Sequence, residues 1–116
     1  MLTEPKNINV LGTEIQIEFR KEVDDPNLKN CVGYFDSTLS LIVVKVLEPD
    51  AMALGDLRKY QKEILRHEIM HAFFYESGLD GSSGSVENWA TNEEMVDWFA
   101  IQSPKIFKVF QELGVL

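Results

Sequence analysis

A chain of 116 residues, 45% hydrophobic and 10% aromatic, suits a single domain over residues 1–116 with a core of its own. Nineteen acidic side chains against eleven basic ones give a formal charge of -8, which repels phosphate backbones and anionic lipid, and the basic residues form no stripe, so direct nucleic-acid binding is disfavoured. The single Cys31 excludes an internal disulfide, and neither a leader pattern nor a bilayer-length apolar run is present, so a cytoplasmic protein with no membrane partner is expected.

Residues 8–19 alternate, with Ile15, Ile17 and Phe19 against Glu14, Gln16 and Glu18, the period of a half-buried strand; Gly12 marks a turn or bulge before that run. The charged segment 20–30, with Pro26 and two asparagines, reads as a solvated loop. Residues 31–46 read as a hairpin or two adjacent strands, with a turn at Asp36 and Ser37 and the second strand the more buried. Asp50 is placed to cap a short helical stretch.

From Leu57 to Tyr75 no proline or glycine interrupts a helical pattern, with Lys59, Lys62, Glu63 and Arg66 on one side and apolar residues around the rest, so a deeply buried C-terminal half is expected. Gly78 stops this helix, and 80–88 form a glycine and serine loop. A second helix is expected from Asn88 or Thr91 to Gln102. A third starts at Ser103-Pro104, with Ile106, Phe107, Phe110 and Leu113 inside and Gly114 at its end. Trp89 and Trp98 are assigned to packing.

The segment HEIMH, residues 67–71, holds the only two histidines of the chain. Four residues apart on a helix, His67 and His71 share a face and can aim both imidazoles at one ion. Zinc takes neutral imidazole nitrogens in a near-tetrahedral set and, in catalytic sites, keeps one position for water. Glu68 is then the general base. A histidine on an apolar helix often only hydrogen-bonds a neighbour, but a carboxylate beside Ile64, Leu65, Phe73 and Phe74 is expensive unless it has a task.

A third ligand is required, and TNEEMVDWFA, residues 91–100, offers the best carboxylates. Glu93 and Asp97 share a helical face, so one can bind the ion while the other orients an imidazole through its second nitrogen. Glu93 is the expected ligand and Asp97 the orienting group, with Glu94 as the rival ligand. Trp98, Phe99 and Ile101 are expected to pack around an inward-looking acidic pair.

HEIMH followed by NEEMVD resembles the glutamate-liganded zinc peptidases of the thermolysin type, in which a second helix carries NExxxD roughly 20 residues after HExxH. EEMVDWFA also resembles the ExxANxFA segment of the small ImmA/IrrE-like and phage minimal zincins, with Val96 and Asp97 in place of its alanine and asparagine. Both registers select Glu93. Phe74 and Ser77 stand where a metzincin carries glycine and its third ligand, which excludes that branch.

The resemblance implies an α+β, minimal zincin-like fold: a small antiparallel sheet, then a zinc-binding helix and further C-terminal helices. It implies a zinc-dependent endopeptidase acting on a peptide or protein substrate. An edge strand at residues 37–44 would align the substrate by strand addition, and Tyr34 or Tyr75 would help zinc stabilise the oxyanion. Any DNA-binding regulatory module would belong to a separate protein partner. The competing functional classes are a non-catalytic zinc-containing structural or protein-interaction module and a DNA-associated protease, the latter opposed by charge.

Overall fold

In the computed structural model, which describes residues 1–48, 55–79, 92–114 and 116, Leu11 and Gly12 take positive φ angles of 52° and 96°. Two successive positive φ values make a turn whose twist matches the strands it joins. The alternating stretch therefore splits into β1 (Lys6–Val10) and β2 (Thr13–Arg20), paired antiparallel. A second antiparallel hairpin follows, β3 (Gly33–Asp36) and β4 (Leu41–Lys45). Asp36 closes it by accepting hydrogen bonds from the Thr38 and Leu39 amides, at 2.9 and 3.3 Å.

β4 lies beside β2 and runs parallel to it, so the strand order is β1-β2-β4-β3 and the sheet is mixed. The expectation of an antiparallel sheet holds for both hairpins and not for their junction. Burial on both faces explains the central place of β4. Ile42 and Val44 join Val10, Ile15, Ile17, Ile64 and Ala72 in the main core, while Leu41 and Val43 pack with Leu28 on the opposite face. Segment 20–30 is thus anchored rather than merely solvated: Leu28 is fully buried and Asp25 nearly so. The Asp25 carboxylate accepts hydrogen bonds from the Tyr34 hydroxyl, from Arg20 Nη1 at 2.9 Å and from the Asn27 amide at 3.1 Å. Led by the Tyr34 bond, these hold its carboxyl below the ordinary range despite burial.

Helix α1 (Leu57–Glu76) begins where expected, with the Asp56 side chain accepting from the Lys59 amide at 3.1 Å. Its buried stripe is Gln61, Ile64, Glu68 and Ala72. Phe73 and Tyr75 are more than a third exposed, so the C-terminal half is less deeply buried than its apolar content suggests.

Helix α2 (Glu93–Leu113) is capped by Asn92, whose side chain accepts from the Met95 amide at 3.0 Å. It continues through Pro104, so the expected break at Ser103-Pro104 does not occur. Proline has no N–H, which leaves the Ala100 carbonyl without its intrahelical donor; Arg66 Nε of α1 donates to that oxygen instead. Among the described residues, Val96 and Ala100 are the buried ones of α2, whereas Phe107, Leu113, Trp98 and Ile101 are exposed, against the inward positions expected for them. Phe99 packs edge-on against Phe74 and Trp98, at 6.3 and 5.3 Å.

The helix start at Asp50, the 80–88 loop, Trp89, the segment around Asn88 and Thr91, and the Phe110 side chain lie outside the described residues. Among the described residues, no helix is long and apolar enough to cross a membrane. The architecture is α+β, a small sheet followed by the histidine-bearing helix and a C-terminal helix.

Fully buried Gln61 accepts from the Leu2 amide at 2.7 Å and donates to the Leu2 carbonyl at 2.9 Å. Gln61→Ala strands both backbone groups and opens a void, so urea unfolding should show a loss of roughly 2–3 kcal/mol.

Candidate metal centre

His67 and His71 stand one helical turn apart, and only 14% and 20% of their side chains are exposed. Their rings are edge-on, with centroids 4.8 Å apart, and the two Nε2 atoms are separated by 3.1 Å. From α2, the Glu93 carboxylate meets both: one oxygen lies 2.9 Å from His67 Nε2 and the other 3.1 Å from His71 Nε2. Asp97, one turn further along α2, lies 2.6 Å from His67 Nδ1. Glu94 is exposed. The acidic pair itself is largely open, 69% and 63% exposed, rather than buried among aromatic residues.

The donor and acceptor count identifies what fits here. An ionised Asp97 only accepts, so His67 Nδ1 carries the proton and a neutral His67 presents a lone pair at Nε2. That lone pair faces His71 Nε2 and the Glu93 carboxylate. A single proton can bridge one pair of such atoms, whereas a divalent cation satisfies all three. Ligand bonds of about 2.0–2.1 Å in a tetrahedral set place donor atoms roughly 3.3 Å apart, close to the separations found. Two imidazoles and one carboxylate are a borderline donor set of the kind zinc accepts. Hence the residues fit such an ion.

Glu68 occupies the buried side of the same turn. Donor atoms of His67, Glu68 and His71 all lie within 4.8 Å of one another, a cluster of metal-ligating side chains on a helix that follows a small sheet, as in a generic minimal zincin-like site. Only 6% of Glu68 is exposed. Burial pushes its carboxyl up to about 7; His67 opposes that rise, and Glu93 and Asp97 add to it.

These groups lie in a cleft of about 820 Å³ bounded by β3, α1 and α2. Both candidate tyrosines line it, in different states. The Tyr34 hydroxyl donates to Asp25 and accepts from Arg20 Nη1 at 3.3 Å, so its role as an oxyanion donor is not favoured by this geometry. The Tyr75 ring packs edge-on against Phe35 at 5.9 Å, and its hydroxyl has no partner among the described residues.

Residues 37–44 do not form the sheet edge expected of them: β4 is paired on both sides, and β3 is the end strand beside the cleft. The Lys45 amide donates to the Val32 carbonyl at 2.9 Å. Antiparallel pairs alternate, so this bond turns the backbone N–H and C=O groups of Gly33 and Phe35 away from β4. Gly33 was not foreseen as a site residue, although glycine inside a strand pattern signals close approach. A Cβ there would stand 2.9 Å from Ile64 Cγ2, 3.0 Å from the Val43 carbonyl oxygen and 3.4 Å from Glu68 Oε2. Its missing side chain is what lets β3 close over Glu68.

With a folded-state value near 7 against an ordinary 4.5, Glu68 holds its proton more tightly in the native state. Its favourable contribution is complete below about pH 4.5 and is lost as pH rises through about 7. In the metal-free protein, Glu68→Gln should therefore gain stability relative to wild type across that window, by roughly 3 kcal/mol, in chemical denaturation at pH 4.5 and 8.

No family model matches the chain, and no curated protein or solved structure is significantly similar to it. The reading of the site therefore rests on its own chemistry.

Proposed function

We propose that the protein is a cytoplasmic zinc metallopeptidase, an endopeptidase of the glutamate-liganded, minimal zincin kind. The observation that carries this reading is the convergence of His67, His71 and Glu93 beside a buried carboxylate, Glu68, on the floor of a cleft whose wall is a strand edge. His67, His71 and Glu93 would hold the ion. When bound, it supplies Lewis-acid polarisation of a carbonyl and makes water easier to deprotonate.

The protein's own groups do the rest. Asp97 keeps the proton of His67 on Nδ1 and so keeps Nε2 free for the ion. An extended peptide adds to β3 through the outward backbone groups of Gly33 and Phe35, which sets its carbonyl over the histidine turn. Glu68 takes a proton from the water as it attacks the carbonyl carbon, then passes it to the amine nitrogen as the C–N bond breaks. Its low exposure keeps bulk water from competing for that proton. Tyr75, whose hydroxyl has no partner among the described residues, would be the tyrosine that donates to the developing oxyanion.

Glu93→Ala should weaken zinc binding by more than about 100-fold in competition titrations while Glu94→Ala leaves it unchanged; the reverse result would transfer the ligand role. Glu68→Gln should bind zinc and fold as wild type does, yet cleave an unfolded protein substrate at least about 100-fold more slowly. Equal cleavage by the two would remove Glu68 as the base. Tight zinc binding by a wild-type protein that cuts no accessible peptide would instead favour the non-catalytic zinc module.

A further inference from the structure

Glu93 and Asp97 reach His67 from a different helix, and their side chains are too exposed for burial to hold them. Their placement depends on where the backbone of α2 sits against α1. Among the described side chains of α2, Val96 and Ala100 are buried and Phe99 packs edge-on against Phe74 of α1, apolar contacts that bring the helices together without a directional bond. A second directional contact is needed besides the histidine itself.

The bond from Arg66 Nε to the Ala100 carbonyl is that contact. Ala100 lies three residues after Asp97 and seven after Glu93, so all three share one face of α2, and the rise of the helix puts Ala100 about 10 Å along the axis from Glu93. Arg66 is the residue before His67. In a regular helix the amide of residue 104 would occupy the Ala100 oxygen; Pro104 has none, and the carbonyl is left for Arg66. We propose that Arg66 and Pro104 act as one device: proline exposes a carbonyl, arginine grips it, and the grip sets the register that brings Glu93 and Asp97 to His67. Arg66 is thereby a positioning residue, an inference that rests on the metal-site reading for its consequence but not for its geometry.

The test is a double-mutant cycle of Arg66→Met, which keeps the apolar stem and removes the donor, with Pro104→Ala, which restores the intrahelical bond. Two readouts separate this proposal from the metal reading. In the metal-free protein, the ¹⁵N signals of the His67 ring report the Asp97 bond and should shift in Arg66→Met and in Pro104→Ala alike, with the double variant shifted no further than either single. In zinc titrations, Arg66→Met should lose roughly tenfold in affinity, and little further affinity should be lost when it is made in the Pro104→Ala background. The Co(II)-substituted spectrum should change in each single variant and no further in the double. Should Arg66→Met alone fail to fold, the double variant is expected to fold, and its failure to do so would count against the pairing. Unchanged His67 signals with a lowered melting temperature, or equal effects in both proline backgrounds, would overturn the proposal. A wild-type protein that binds no zinc would defeat the metal reading while leaving the His67 signals to decide this one.

Discussion

Three side chains that converge on one point are the constraint on which this structure turns. His67 Nε2, His71 Nε2 and the Glu93 carboxylate lie 2.9–3.1 Å apart in successive contacts, close to the spacing of donor atoms around a single cation. Each element contributes to holding it. The buried stripe of α1 fixes the histidine turn over the sheet, and Gly33 lets the end strand approach from one side. The Asn92 cap starts α2 directly before Glu93, so this carboxylate sits in the first turn of its helix, at the positive end of the helix dipole.

The opposite face of the sheet has its own task. Leu28 and Asp25 turn the segment between β2 and β3 into a brace, with Tyr34 and Arg20 joined to the same buried carboxylate. Tyr34 belongs to β3, so the brace stiffens the end strand beside the cleft from behind. A tyrosine that read as a candidate for chemistry therefore serves to hold the wall against which a substrate would lie.

What the sequence disclosed and what it concealed follow from the range of the interactions involved. The limits of α1 and the pairing of the two histidines are local: a cap at Asp56, an unbroken helical period and a four-residue spacing. The two hairpins are local as well, set by Leu11-Gly12 and by Asp36. The parallel junction of β2 with β4 is not, because it depends on Leu28 covering a face that the alternation in β2 leaves undetermined. Ser103-Pro104 misled for the same reason. As a dipeptide it has the form of a cap and first turn, whereas the donor that meets the carbonyl left open by Pro104 is Arg66, 34 residues away. Glu93 and Asp97 were legible through their spacing, but not their exposure, which depends on how few large side chains α2 turns inward.

The two halves of the site consequently differ in how firmly they are built. The histidines share one helix whose stripe is buried against the sheet, so their mutual geometry survives any small movement of that helix as a whole. The carboxylate half is carried by a helix whose buried side chains, among the described residues, are Val96 and Ala100. A shift of α2 by a fraction of a turn separates Glu93 from both imidazoles at once while leaving the histidine pair intact. On the proposed reading, ion affinity would therefore depend on the α1–α2 contact as well as on the HEIMH segment. Substitutions along that contact should act on affinity before they act on the fold, since the sheet and α1 keep their core without it.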